Sequence, residues 1–85
     1  MRLVFSNDAW DDYLHWKQTD TQLLRRVNSL ISDTIRGPFD GIGKPEALRG
    51  DLSGYWSRRI TDEHRMVYRV EGSDLLIVML RFHYR

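Results

Sequence analysis

The spacing of apolar residues changes once along this chain, and the change falls near Gly54. Before it, Leu23, Leu24, Val27, Leu30, Ile31 and Thr34 recur at three- and four-residue intervals. That spacing lines up one face of an α-helix. After it the period is two. Met66, Tyr68 and Val70 alternate with Arg65, Val67 and Arg69, the pattern of a strand with two distinct faces. Helices first and strands second indicate an α+β domain in which a helical layer covers one face of an antiparallel sheet.

The termini of each element are marked. Arg2-Leu3-Val4-Phe5 is short, apolar and β-prone, and Ser6, Asn7 and Asp8 stop it with N-capping side chains. The spacing predicts a first helix over Asp8 to Lys17, with Trp10, Tyr13 and Leu14 on its apolar face and Trp16 away from that stripe, where it either caps the small core from the side or binds a partner. Thr19-Asp20 caps the second helix, whose polar face carries Gln22, Arg25, Arg26, Ser29 and Asp33. Gly37-Pro38 ends it, so the two helices form an antiparallel hairpin. Residues 39 to 53 read as a glycine-rich connector. A three-strand meander follows: Tyr55 to Ile60, His64 to Val70, and Asp74 to Phe82. Strict alternation in the last strand puts Leu76, Val78, Leu80 and Phe82 on one face. It puts Leu75, Ile77, Met79, Arg81 and His83 on the other. The N-terminal strand is expected to join this sheet.

Eighty-five residues make a single domain, 1–85. A chain of this size buries only about 60–65 % of its unfolded surface, so every apolar stripe is needed for the core. There is no cysteine, which excludes disulfides and thiolate metal sites and suits a reducing cytosol. No apolar run approaches the roughly 20 residues that span a bilayer, and the N-terminal apolar stretch is too short for a signal peptide. A cytoplasmic location is the expectation. The net charge of +1 is unevenly spread. Residues 1–43 hold five basic and six acidic side chains, and residues 44–85 hold eight and six. Seven of those eight are arginine, the side chain suited to bidentate phosphate contacts.

Several residues in this basic half could do chemistry. Arg59, Arg65, Arg81 and His83 each fall on the strand face that lacks the densest aliphatic run. Strand pairing is expected to gather them, with Glu46 and Arg49 reaching in from the connector beside Lys44-Pro45. One carboxylate, several arginines, a histidine and a terminal tyrosine, Tyr84, suit transesterification of an RNA phosphodiester. A base takes the 2′-hydroxyl proton, a cation stabilises the crowded phosphorane, and an acid protonates the departing 5′-oxygen. RNA supplies its own nucleophile, so no metal or cofactor is required. Each residue also has a plainer role open to it. From position alone Glu46 reads first as a solvated loop carboxylate and Arg65 as an exposed strand arginine paired with Glu63 or Asp62, while His83 reads equally as an exposed imidazole and Tyr84 as a core lid. His15 and His64 read as structural. The three histidines lack metal-ligand spacing, and no serine sits in a GxSxG elbow.

Five segments carry a family resemblance: Trp10-Asp11-Asp12-Tyr13, Gly43-Lys44-Pro45-Glu46-Ala47-Leu48, Leu52 to Ile60, Glu63 to Tyr68, and Arg81-Phe82-His83-Tyr84. Together they resemble the Txe/YoeB toxins of bacterial toxin–antitoxin systems, end to end. The resemblance implies the RelE/ParE-superfamily fold, with two N-terminal helices packed on a twisted antiparallel sheet. It implies an mRNA interferase: a metal-independent endoribonuclease that cuts mRNA in the decoding site of the bacterial ribosome and halts translation. It assigns Glu46 as general base, Arg65 as transition-state stabiliser and His83 as general acid. Arg59 and Tyr84 would hold phosphate and orient the base, with Lys44 and Arg49 as further RNA-binding cations. Arg49 stands where relatives commonly have lysine, and Arg85 follows the tyrosine at which relatives tend to end. A YefM-type antitoxin is the implied partner, and a homodimer a further one. The alternative within the superfamily is a non-catalytic inhibitor of DNA gyrase of the ParE type, which would need neither Glu46 nor His83.

Overall fold

The computed structural model describes residues 1–82. Strand β1 (Arg2–Phe5) leads into helices α1 (Asn7–Thr19) and α2 (Thr21–Arg36). Strands β2 (Glu46–Ala47), β3 (Trp56–Arg59), β4 (Arg65–Glu71) and β5 (Asp74–Met79) complete one sheet in the order β1-β5-β4-β3-β2. The meander is antiparallel, as the sequence indicates. The edge strand β1 runs parallel to β5, because the helical hairpin carries the chain away from the sheet before the meander begins. The sheet is therefore mixed, and the connector contributes its fifth strand, β2, together with a 3₁₀ turn at Gly50–Leu52.

Capping explains the helix limits. The Ser6 hydroxyl accepts from the Ala9 N–H at 3.1 Å and donates to the Val78 carbonyl at 3.1 Å, so one side chain starts α1 and ties it to β5. Asp20 serves both helices. Its N–H closes α1 on the Trp16 carbonyl at 2.9 Å, and its carboxylate accepts from the Leu23 N–H of α2 at 3.0 Å.

Val27, Leu30, Ile31 and Thr34 of α2 are buried, as their spacing requires, against Met66, Tyr68, Leu75 and Ile77 of the sheet. In α1 Tyr13 packs against the core as its spacing requires, but the two tryptophans do not follow the stripe. Trp10, assigned to the apolar face, is 48 % exposed, while Trp16, assigned away from it, is buried in the core. The Trp16 indole N–H donates to the Leu80 carbonyl at 2.8 Å, which satisfies its one polar atom. Trp10 instead stacks on Tyr13, their rings 5.6 Å apart, outside the core.

The last strand also departs from strict alternation. Val67 pairs with Met79 but Tyr68 pairs with Ile77, so Val78 is an extra residue on β5. Such a bulge reverses the side-chain parity beyond it. Leu75 and Ile77 face the helices, whereas Met79 lies on the opposite face with Val67. The expected grouping of Leu75 and Ile77 with Met79 and Arg81 is therefore split, and so is that of Leu76 and Val78 with the buried Leu80. The strand expected to reach Phe82 ends at Met79.

Candidate functional site

Directly opposed residues of antiparallel strands share a face. Glu46 opposes Ser57, Ser57 opposes Val67, and Arg59 opposes Arg65. Glu46, Arg59 and Arg65 therefore lie together on the sheet face turned away from the helical core. These are three of the six residues that the sequence reading expects on one surface, the others being Arg49, Arg81 and His83.

Arg65 is held most firmly. It is 8 % exposed, and its Nη1 donates to the carbonyls of Thr61, Asp62 and His64 at 2.6, 3.0 and 3.2 Å. The turn between β3 and β4 thus closes around the guanidinium with carbonyl dipoles, in place of the carboxylates of Asp62 or Glu63 considered from sequence. The cation is oriented without being neutralised by those carboxylates. Arg59 is exposed; its N–H donates to the Gly43 carbonyl at 2.7 Å, and Nη2 of Arg26 donates to its carbonyl at 3.2 Å.

The connector approaches this face under tight steric control. Gly43 has φ +81°, and a Cβ there would come within 2.7 Å of the Leu30 side chain, so only glycine fits. Lys44 follows with φ +53°, an uncommon conformation outside glycine, and its side chain is exposed. Glu46 and Arg49, both exposed, line a shallow depression of about 440 Å³ with Ala47 and Leu48. Among the described residues, none of the ion pairs takes Lys44, Arg49 or Arg59. His83 and Tyr84 lie outside the described residues, as does Arg85.

The main polar feature that the sequence reading missed is Arg58, which is fully buried on the helix-facing side. Its Nη1 donates to Asp33 at 2.7 Å and to the Ile42 carbonyl at 3.1 Å. Its Nη2 donates to the carbonyls of Gly37 and Asp40 at 2.7 and 2.8 Å, and its Nε to the Tyr68 hydroxyl at 3.1 Å. The Tyr68 hydroxyl in turn donates to the Pro38 carbonyl at 2.6 Å. Burial raises the Tyr68 pKa, so this proton stays in place. Asp33, assigned to the polar face of α2, instead turns toward the sheet. The Ile42 N–H, and then Arg58, hold its carboxyl below the usual range. This network pins the connector from Gly37 to Ile42, just before the residues that carry Glu46. The signal was present in parity: Trp56, Arg58 and Ile60 alternate along one line, with the arginine between two apolar neighbours.

A second missed cluster holds the chain after β5. The Leu80 N–H donates to Asp12 at 3.0 Å, and the Phe82 N–H donates to Nδ1 of His64 at 2.8 Å. Burial raises the Asp12 pKa against the opposing pull of that N–H and of Arg81. His64, read as structural, is so in this specific sense. No periodicity marks it, because it sits at the turn before β4.

Among the described residues no cluster of His, Asp or Glu could hold a metal ion, and no helix is long and apolar enough to cross a membrane. The face offers an oriented cation, which can stabilise developing negative charge, and a carboxylate, which can accept a proton, on one surface.

Residues 5–84 match the model of the YoeB-like toxin of bacterial type II toxin–antitoxin systems. Toxin YoeB of Escherichia coli K12 is 55 % identical over 84 residues, covering 99 % of this chain and all of the relative. Among solved structures, a YoeB/ParE toxin from Agrobacterium tumefaciens superimposes with a TM-score of 0.97 at 53 % identity, covering 99 % of this chain and all of the other. The YoeB dimer from Staphylococcus aureus and its heterotetrameric YoeB–YefM complex superimpose at 0.91 and 0.90, both with 39 % identity and with 99 % and 98 % of the two chains covered.

Proposed function

The chain belongs to the family of YoeB-like toxins of bacterial type II toxin–antitoxin systems, and from that premise we propose that it is an mRNA endoribonuclease acting in the decoding site of the bacterial ribosome. The observation that carries this reading is the strand register that sets Glu46, Arg59 and Arg65 on one face, with Arg65 clamped by three carbonyls.

In this reading Glu46 removes the proton from the 2′-hydroxyl. The 2′-oxygen attacks phosphorus, and the phosphorane's charge develops beside Arg65, whose orientation is already fixed and needs no reorganisation. The bond to the 5′-oxygen breaks as His83 donates its proton. The products are a 2′,3′-cyclic phosphate and a 5′-hydroxyl. Arg59, Arg49, Lys44 and Tyr84 hold the flanking phosphates and orient the base. The bound antitoxin is of the YefM type, in line with the Staphylococcus aureus complex, and the toxin pairs with a second copy as that relative's dimer does. The site of action is the cytoplasm, where ribosomes and mRNA meet.

Mapping mRNA 5′ ends on purified, programmed bacterial ribosomes tests the reading. Wild-type protein is expected to cut within the codon in the decoding site, and His83→Gln to lower the single-turnover rate by roughly 10²–10⁴, the usual contribution of a positioned acid. Equal rates would remove His83 from the mechanism. Toxicity with no cut in mRNA would turn attention to gyrase.

A further inference from the structure

Beyond β5 the chain does not continue as a free strand. Leu80 is fully buried and held at both backbone groups by α1: its N–H by Asp12 at 3.0 Å and its carbonyl by the Trp16 indole at 2.8 Å. Two residues on, Phe82 is held at both backbone groups by His64 and by Arg65, the first residue of β4. Its N–H donates to Nδ1 of His64 at 2.8 Å, and its carbonyl accepts from the Arg65 N–H at 3.0 Å. Between these holds, the Arg81 guanidinium lies 4.5 Å from the Phe82 ring centroid and 6.0 Å from that of Trp16. The His64 ring itself is set edge-on to Trp16, their centroids 4.8 Å apart.

Phe82 has φ +66°. A bulky L-residue leaves that conformation unless its surroundings hold it. The His64 hydrogen bond supplies that hold, and it falls on the residue immediately before His83. In this arrangement Nδ1 offers its lone pair to the Phe82 N–H, which leaves Nε2 as the ring's donor.

We propose that His64 is a positioning residue for RNA cleavage: by accepting the Phe82 N–H it fixes the backbone of the residue that precedes His83 in the chain. The inference rests on the reading of His83 as general acid. It assigns His64 no contact with RNA. Two adjoining residues, His64 and Arg65, thus hold the N–H and the carbonyl of Phe82, and the second of them is also the cation of the site.

The test compares His64→Leu, which removes the acceptor, with His64→Asn, whose Oδ1 can occupy the place of Nδ1. Two readouts are taken: single-turnover cleavage on programmed ribosomes, and amide hydrogen exchange at Phe82 with the Tyr68 amide of β4 as internal reference. His64→Leu is expected to speed Phe82 exchange at least about tenfold relative to Tyr68 and to lower the cleavage rate by about 10–100-fold, the scale of a misplacement near 1 Å. Ribosome affinity should stay within about threefold. His64→Asn should restore both readouts to within about threefold of wild type, which a merely structural effect of the ring would not do. Should His64→Leu fail to fold, His64→Gln takes its place, because its oxygen lies at the ε position. Wild-type cleavage by the leucine variant, or equal defects in leucine and asparagine variants, would overturn the proposal. If the wild-type protein makes no cut, the catalytic reading fails and this role fails with it; Phe82 exchange then still reports whether the tether itself exists.

Discussion

Arg58 and Arg65 lie on neighbouring strands and on opposite faces of one sheet, and they are treated in opposite ways. Arg58 is fully buried among the helices, paired with Asp33 and bonded to three further carbonyls and a tyrosine hydroxyl. Its charge is spent inside the fold. Arg65 is nearly as buried, but its Nη1 meets carbonyl dipoles only, and among the described residues it belongs to none of the ion pairs. Dipoles orient a cation without cancelling it, whereas a carboxylate cancels it. The same residue type thus fastens a loop on one face and stays electrostatically available on the other.

The comparison breaks first at Arg58. Arg58→Met removes the partner of Asp33 and strands the carbonyls of Gly37, Asp40 and Ile42, so urea unfolding should show a loss of about 3–5 kcal/mol. That is much of the stability of a domain this small. A loss below about 1 kcal/mol would mean the network is only an ornament of the connector. Next comes Glu46, on an exposed edge strand. Glu46→Gln should leave the unfolding curve in place while single-turnover cleavage falls roughly 10²–10⁴-fold. Cleavage at the wild-type rate would remove the base from that face.

Titration sharpens the contrast more gently. Asp33 has a lowered pKa in the folded state, so its contribution is present above the unfolded value, about 3.9, and is lost as pH falls through the folded one. Asp12 has a raised pKa, so its favourable contribution is present below the unfolded value and is lost as pH rises through the folded one. Stability measured from pH 3 to 7 should therefore separate the variants. Asp33→Asn loses most at neutral pH, while Asp12→Asn gains relative to wild type as pH rises. Parallel curves would show that neither carboxylate is tuned by its face. The smallest effect belongs to the exposed Arg2–Asp74 pair, whose N–O distance is 2.8 Å. Solvent screens such a pair, and Arg2→Gln should leave the urea midpoint unchanged within error.

The architecture was legible because periodicity and capping agreed. The α2 stripe, the Asp20 cap, the meander and the shared face of Arg59 and Arg65 follow from spacing and capping, whereas Glu46 was expected to reach in from a loop and lies instead on the edge strand β2. What escaped has physical reasons. A bulge at Val78 breaks parity without any glycine or proline to announce it. Trp16 is buried because its indole N–H reaches the Leu80 carbonyl, a partner distant in sequence. A two-residue strand such as β2 carries too few residues to show a period. Arg58 looked like one more basic residue, although its place between Trp56 and Ile60 marked it as facing inward. Of the candidate site, Glu46, Arg59 and Arg65 are brought together, Lys44 and Arg49 flank them on the connector, and His83 and Tyr84 fall outside the described residues.

The most direct measurement is single-turnover mRNA cleavage by Arg65→Gln and wild-type protein on programmed ribosomes, beside their urea unfolding curves. The account predicts a rate about 10²–10³-fold lower, the scale of losing one preorganised charge donor. It predicts a stability loss of about 1.5–3 kcal/mol, that of losing charge-assisted hydrogen bonds, so the rate is compared per folded molecule. Wild-type cleavage by the variant, or a rate that falls only in proportion to unfolded protein, would contradict the claim that Arg65 is held available for the phosphate.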